Sequence, residues 1–238
     1  MEISVIIPAH NEETSIGKCL RSIRENDFKG EYEIIVVDSC SQDKTVEIAK
    51  KYADKVIVKK TSGPGAARNI GVKESNGDIV AFTDADTMVE KNWLSIIARD
   101  FSDPEVVGVG GILKPLDPRL IDKIMFKINS DLWYRFTAKF GFYQLGTPNC
   151  AYRKEAFLKV GGFNEKLSML EDTELSIRIA KARLGKLLID KDLVVYNSTR
   201  RFRQEGYFKV FLRYVKAYYE LFTKGTVTPK HFDTIVHE

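Results

Sequence analysis

"DIVAFTDADTMV", residues 78–89, decides how the chain is read. Ile79, Val80, Ala81 and Phe82 form a short uninterrupted apolar run, as in a strand buried on both faces of a sheet, and it leads directly into Asp84 and Asp86. Side chains two apart in extended backbone point the same way, so both carboxylates face one space. Their repulsion must be met by water, a hydrogen-bond donor or a cation. A Mg²⁺ or Mn²⁺ held there would complete its shell with phosphate and water. An isolated Asp-x-Asp is more often a solvated turn, so its surroundings have to decide.

Upstream, strand-like runs alternate with helical patterns. "ISVIIP" (3–8) precedes a helix with Ile16, Leu20 and Ile23 at core spacing. "EIIVVD" (33–38) precedes "SQDKTVEIAKKYA" (41–53), with Ser41 or Asp43 as its cap, and "KVIVKK" (55–60) precedes "GPGAARNIGVKES" (63–75). These units predict an α/β fold with a mostly parallel central sheet covered by helices on both faces. Ligands in such sheets collect outside the carboxyl ends of the strands. Pro8 to Glu12, Asp38 to Ser41, Gly63 to Arg68 and Asp84 to Asp86 therefore border one crevice. Asp38 has two readings, an acceptor for a base or ribose, or a cap for the segment that follows. Gly63 and Gly65 have the G-x-G spacing of a dinucleotide fingerprint, but Arg68 stands in place of the third glycine and the motif follows the third strand. A Rossmann dehydrogenase is thereby disfavoured. Small residues, a helix N-terminus and a guanidinium still suit phosphate, with a tight turn and a surface arginine as the competing reading.

The 238 residues, 44% of them hydrophobic, support one large domain, and a net charge of +4 is too small for a nucleic-acid binder as a whole. Cys19, Cys40 and Cys150 are far apart and form no CxxC pair, which points to reduced thiols in a cytoplasmic protein rather than a disulfide frame or zinc site. "MEIS" opens a strand without signal-peptide features, and no apolar run approaches the ~20 residues of a spanning helix.

Past Pro115 and Pro118, the best candidate boundary, Leu120, Ile124, Ile128, Leu132, Phe136 and Phe140 recur every fourth residue, accompanied by Ile121, Met125 and Trp133, and predict a long amphipathic helix over 118–140. "GFYQLGTPNCAYR" (141–153) reads as strand and loop, "LEDTELSIRIAKARLG" (170–185) as a helix, and "KLLID" and "LVVYNS" as strands. Arg200, Arg201 and Arg203 form a basic cluster. "GYFKVFLRYVKAYYELF" (206–222) carries Phe211, Tyr214, Val215, Tyr218 and Phe222 at helical spacing beside Lys209, Arg213 and Lys216. That mixture suits a peripheral membrane contact, with a packed terminal helix as the alternative. His10 shapes a pocket, and His231 and His237 fall in a loose tail.

Taken together, "SVIIPAHNEE" (4–13), "IIVVDSCSQDKT" (34–45), "GPGAARNIG" (63–71), "VAFTDADT" (80–87) and "GGFNEKLSMLEDTELSIRI" (161–179) resemble, in order and spacing, a family 2 glycosyltransferase of the GT-A fold. The resemblance implies inverting transfer from a nucleotide-diphosphate sugar, UDP-linked in first place and GDP-mannose in second, to a hydroxyl of a glycan or lipid-linked saccharide. It implies Asp38 at the nucleobase, Asp84 near the ribose and Asp86 on a Mn²⁺ or Mg²⁺ at the diphosphate. Pro8, Ala9, Asn11, Glu12, Gly65, Arg68, Ala85 and Arg201 complete the donor site, Glu171 and Asn149 meet the acceptor, and Asp172 acts as general base. An isolated "ED" would otherwise read as acidic residues at a helix start. Ser39, Cys40 and His10 depart from the family's commoner residues, and the QxxRW motif of processive members is absent.

The expected division is a catalytic domain over 1–204, with a nucleotide-binding part at 1–115 and an acceptor part at 116–204, followed by an amphipathic segment at 205–238. The expected location is the cytoplasm, at the cytoplasmic face of the membrane. A sugar nucleotidyltransferase would need a glycine-rich loop after the first strand, where this chain has Pro8 to Glu12. A polyprenyl-phosphate glycosyltransferase and a non-catalytic nucleotide-sugar binding module stay as alternatives.

Overall fold

The apolar runs of the first half become the strands of one sheet: β1 (Ile3–Ala9), β2 (Tyr32–Asp38), β3 (Lys55–Val58) and β4 (Ile79–Phe82), with α1 (Ile16–Arg24), α2 (Thr45–Ala49) and α3 (Pro64–Lys73) between them. The structure, a computed structural model, describes residues 1–225 and residue 227, so His231 and His237 lie outside the described residues. β1 pairs in parallel with β2 and with β4, and its register sets Ala9 beside Asp38. This alignment of strand ends opens the crevice that the alternation of strands and helices predicts.

The second half returns to the same sheet. β5 (Thr87–Val89), α4 (Trp93–Asp100) and β6 (Val106–Pro115) lead to a long helix running from α5 (Leu120–Phe126) through a π-helical segment, Lys127–Trp133, into α6 (Tyr134–Ala138). Then come β7 (Cys150–Arg153), α7 (Lys154–Lys159), α8 (Glu171–Lys181), β8 (Lys186–Asn197), α9 (Arg200–Glu205) and α10 (Tyr207–Lys224). The eight strands lie in the order β3-β2-β1-β4-β7-β6-β8-β5. Four of the seven pairings are parallel, while β7 runs against both β4 and β6, and β5 against β8. Residue 115 ends β6 but does not end the sheet, since β7 and β8 come from beyond it.

The period of two along each strand feeds two cores. Ile3, Val5 and Ile7 of β1 with Ile79 and Ala81 of β4 face α1 and α4, where Leu20, Ile23, Trp93 and Ile97 are buried. Ile6, Val80 and Phe82 face the other way, onto Val72, Phe157, Phe163, Leu175 and Ile179. Phe82, Phe157 and Phe163 meet edge to face or tilted, with centroids 5.2–5.6 Å apart.

The long helix forms where its four-residue stripe predicts, but the stripe faces outward: Leu120 and Phe140 are each 75% exposed. Its inner face carries Asp122, Phe126, Ser130 and Thr137, and Ser130 Oγ donates to the Leu113 carbonyl at 2.8 Å and accepts from the Leu113 N–H at 3.1 Å. A hydrophobic period identifies an amphipathic helix but not which side the sheet covers.

Helix α3 crosses β1 closely at Gly71, where a Cβ would lie 2.4 Å from Ile6 Cγ2. Alanine in a helix interior gains about 0.5–1 kcal/mol over glycine, while overpacking a closed core costs about 1–3 kcal/mol. Gly71→Ala is expected to lower stability by about 1–2 kcal/mol in urea denaturation. A gain in stability would show that the α3–β1 contact is looser than described.

Candidate active site

The strand ends and the start of α8 converge on Arg68. It lies in α3 and is 2% exposed, with Nη2 donating to Asp84 Oδ1 at 2.6 Å and Nη1 to Glu171 Oε1 at 3.1 Å. Its guanidinium also lies over the Phe163 ring, 5.8 Å from the centroid. Gly65, one turn earlier, lies against the same residue: a Cβ there would sit 3.6 Å from Glu171 Cγ, in ordinary van der Waals contact. Sequence reading turns Arg68 toward a phosphate. The fold commits it to two carboxylates, one beyond the end of β4 and the other 103 positions away on α8. Glu171, expected beside the acceptor, is correspondingly buried against Arg68. Burial pushes its carboxyl up, its neighbour Asp172 adds to this, and Arg68 pulls it back.

Asp86, two residues beyond Asp84, is pushed up to about 6, first by burial, then by the charges of Asp84 and Glu12, against the pull of Arg200 and Arg201. Glu12, from the loop after β1, accepts from Arg200 Nη2 at 2.9 Å. Negative charge is thus concentrated between the ends of β1 and β4. Among the described residues no three His, Cys, Asp or Glu side chains are grouped to hold a metal by themselves. The hard oxygen donors of Asp84 and Asp86 fit a divalent cation that takes its other ligands from a diphosphate and water, and such a cation would offset the repulsion that raises Asp86.

The neighbouring loops are ordered by their own polar groups. Asp38 is fully buried at the end of β2, where its carboxylate accepts the Ser41 N–H at 2.8 Å and the Ser41 hydroxyl. Ser41 Oγ in turn accepts the Asn11 N–H at 2.8 Å, and Asn11 Oδ1 accepts the Gln42 N–H at 2.9 Å, with Asn11 at φ 51 in the left-handed region. The N-cap position of α2 is Lys44 rather than Ser41 or Asp43, and Asp43, one residue earlier, accepts the N–H of Thr45, the first residue of the helix, at 2.9 Å. Pro8 and Ala9 lie in β1 against β2, and Ala85 is buried between the two aspartates.

On the other side of Arg68, α8 opens at Glu171 after Leu170, whose φ of 62 makes the sharp entry to the helix. Asp172 Oδ1 accepts the Thr173 N–H at 2.6 Å and Oδ2 the Thr147 N–H at 3.3 Å. Burial pushes the Asp172 carboxyl up while these N–H groups pull it down. Three tyrosines gather here, of which the sequence pattern assigns Tyr214 and Tyr218 to a membrane-facing row and does not single out Tyr134. Tyr134 and Asp172 flank Gly146, whose Cβ position is 3.2 Å from Tyr134 Oη and 3.8 Å from Asp172 Oδ2. Tyr214 and Tyr218 of α10 feel the same carboxylate, and all three phenols are pushed up, chiefly by burial. The only signal for Tyr134 was its place off the apolar stripe.

Asn149, expected at the acceptor, is placed differently. It is fully buried, its amide donating to the Ile112 and Leu193 carbonyls at 3.1 and 2.9 Å and accepting from the Trp93 indole at 2.8 Å, so its polar atoms tie β6, β8 and α4 together. Of the three arginines, Arg203 is directed to Asp122 and the Asp117 carbonyl, away from the carboxylates of the crevice. The charges of Arg200 and Arg201 act on Asp86.

Comparison with known proteins gives this geometry a family. The model of "Glycosyl transferase family 2" matches residues 4–161, and the chain belongs to that family. Poly(ribitol-phosphate) β-N-acetylglucosaminyltransferase TarS of Staphylococcus aureus is 31% identical over 222 residues, 84% of this chain and 36% of that protein. This chain therefore spans about a third of that relative's length. The crystal structure of S. aureus TarS 1–349 with UDP-GlcNAc superposes with a TM-score of 0.66 at 27% identity, covering 83% of this chain and 58% of that one. The mannosyltransferase PcManGT of Pyrobaculum calidifontis, in complex with GDP-Man and Mn²⁺, shares the fold with a TM-score of 0.68 at 21% identity, covering 90% of this chain and 64% of that one. The architecture is the GT-A fold of these glycosyltransferases.

The elevated Asp86 has a consequence for stability. The folded protein prefers this carboxyl protonated, so stability falls as pH rises from the ordinary carboxylate range through about 6 and then levels off. Asp86→Asn removes that penalty. The variant is expected to melt a few degrees above the parent at pH 7.5, a margin that closes as pH falls from about 6 towards 4. Equal melting temperatures at both ends of that range would contradict the burial and charge assigned to Asp86.

Proposed function

We propose that this member of glycosyl transferase family 2 transfers a sugar, with inversion, from a nucleotide-diphosphate donor to a hydroxyl acceptor, using Asp172 as general base. The observation that carries the proposal is the Arg68 bridge, which joins the Asp84–Asp86 end of β4 to the Glu171–Asp172 start of α8. A donor site and a proton acceptor are thereby held on one rigid frame. The UDP-GlcNAc complex of TarS supports a UDP-sugar as the first donor to test. GDP-mannose is second. The donor lies across Pro8, Ala9, Asn11 and Glu12, with its base towards Asp38 and its ribose near Asp84 and Ala85. Gly65 and Arg68 support this site from behind by placing the carboxylates.

Asp86, with Asp84, would hold Mn²⁺ or Mg²⁺ on the diphosphate, where the cation supplies charge neutralisation to the leaving group. Arg201, with Arg200, adds positive charge on the same side. The Asp172 carboxylate takes the proton of the acceptor hydroxyl as its oxygen bonds to the anomeric carbon. The bond from that carbon to the diphosphate oxygen breaks, the electron pair leaves with the nucleoside diphosphate, and configuration inverts. The elevated carboxyl of Asp172 makes it a stronger base than a solvated aspartate. The acceptor enters past Tyr134, Tyr214 and Tyr218, whose rings and hydroxyls suit a sugar or polyol. The relative TarS is named for a poly(ribitol-phosphate) acceptor, which supports a hydroxyl on a glycan or lipid-linked saccharide.

Residues 1–204 form the catalytic domain in this reading and 205–238 an extension, whose helix α10 makes peripheral contact with lipid. The cytoplasm, at the inner face of the membrane, is the location proposed. Support comes from three unpaired cysteines, and no helix among the described residues is long and apolar enough to cross a membrane.

Asp172→Asn separates binding from chemistry. With UDP-GlcNAc and Mn²⁺ its thermal-shift response should match that of the parent, while nucleoside diphosphate release to a polyol or glycan acceptor falls about 10²-fold or more. Full-rate transfer by the variant would make Asp172 structural. A parent protein whose melting temperature no nucleotide sugar raises would overturn the donor class.

A further inference from the structure

Exposed apolar side chains are concentrated in two helices. Of nineteen exposed large hydrophobic residues among those described, eight lie between Leu120 and Phe140 and seven in α10. Along the first helix the outer row includes Leu132 at 52%, Phe136 at 54% and Phe140 at 75% exposure. Trp133, Phe136 and Phe140 touch in series, with centroids 6.3 and 5.1 Å apart. A four-residue step overshoots a full α-helical turn by about 40°, so such a row would wind around a regular helix. The wider turn of the π segment at Lys127–Trp133 sets this drift back and keeps the row on one side. The inner face is tied down by Ser130 at Leu113 and by Tyr134 beside Asp172.

α10 extends the same region. Tyr207 Oη donates to Asp122 at 2.6 Å, Phe202 of α9 meets Phe126 with centroids 5.4 Å apart, and Phe222 meets Phe142, just past the first helix, at 6.0 Å, so α10 is tied near both ends of that helix. Charge is segregated with the apolar surface. Residues 119–140 hold five Lys and Arg against two Asp, and residues 205–224, past the arginines directed to the crevice and to Asp122, hold four against two Glu. The two segments together are therefore +5 in a chain whose total is +4, which leaves the remainder at −1. Of the four acidic groups, Asp122 and Glu220 are buried and Asp131 and Glu205 are paired with Arg135 and Arg213.

We propose that the outer face of the 120–140 helix, continued by α10, docks on an anionic lipid surface. An apolar face meant for a protein partner would not need the chain's entire excess of cations at its margins. Aromatic and aliphatic side chains entering the acyl boundary, with lysine and arginine heads in the headgroup layer, use both features at once. The face lies on the helix whose opposite side presents Tyr134 to Asp172, so a docked protein has its acceptor entrance at the lipid surface.

Flotation of the intact chain with phosphatidylglycerol-containing vesicles is the test, with pure phosphatidylcholine vesicles as the comparison. Binding is expected to anionic vesicles at low salt and to weaken as salt screens the cationic part. Leu132→Ser, Phe136→Ser and Phe140→Ser combined should reduce partition by about tenfold or more, and Lys123→Glu, Lys127→Glu and Lys139→Glu combined should abolish the preference for anionic lipid. All six side chains are exposed, so unchanged melting temperatures verify the fold. Absence of flotation at low salt, or equal flotation of the serine variant, overturns the proposal. A dimer in sedimentation that the serine variant disperses, without flotation, would assign the face to a second copy and overturn it as well. Flotation reads lipid contact alone, so a chain that floats but transfers no sugar contradicts only the proposed reaction.

Discussion

A single buried guanidinium holds the two halves of the site in register. Arg68 reaches Asp84 at the end of β4 and Glu171 at the start of α8, and the residues of chemical interest stand next to these anchors: Asp86 two positions beyond one, Asp172 directly after the other. A buried ion pair is a poor source of net stability, but breaking one strands charge in a low-dielectric interior. Arginine suits the position because its planar fork serves two carboxylates at once, which the point charge of lysine cannot do. Gly162 follows from the same constraint, since it lets the backbone close around this helix: a Cβ there would lie 2.6 Å from Asn69 Oδ1, beside the Asn69 amide that binds Phe163 and Glu165.

The electrostatics of the crevice fit a site completed by ligands. Burial raises Asp86, Glu171 and Asp172 together, and neighbouring carboxylates add to the rise of Asp86 and Glu171, while the Arg68, Arg200 and Arg201 charges only partly compensate. A divalent cation at the Asp84–Asp86 end would offset the first repulsion. In the proposed reaction the Asp172 end works differently, because a carboxylate that binds a proton more tightly than in water is better suited to take one from a hydroxyl. The same burial therefore serves opposite purposes at the two ends of the Arg68 bridge.

Much of this was legible in the sequence because it is local. The apolar runs at 3–8, 33–38 and 79–82 fix strands whose carboxyl ends carry Asp38 and Asp84, and the acidic opening of α8 places Glu171 and Asp172. What the sequence hid depends on contacts between distant segments. Arg68 stands where a phosphate-binding arginine would, and only the packing of α8 against α3 turns it to Glu171. Asn149 lies in a promising loop, yet Trp93, Ile112 and Leu193 use its amide. The stripe from Leu120 to Phe140 predicts a helix correctly, but a period carries no information about which face the sheet covers. Arg203 belongs to a basic run whose members part company, one to Glu12 and another to Asp122.

Whether Arg68 is the clamp or a ligand of phosphate is decided by a thermodynamic cycle in the absence of nucleotide. Arg68→Ala is expected to cost about 3–5 kcal/mol in chemical denaturation, because it strands buried carboxylates. Adding Glu171→Gln and Asp84→Asn should recover a substantial part of that loss, giving a coupling of about 1 kcal/mol or more between the positions. If the losses simply add, within about 0.5 kcal/mol, Arg68 does not hold the two halves together and the account of the site fails.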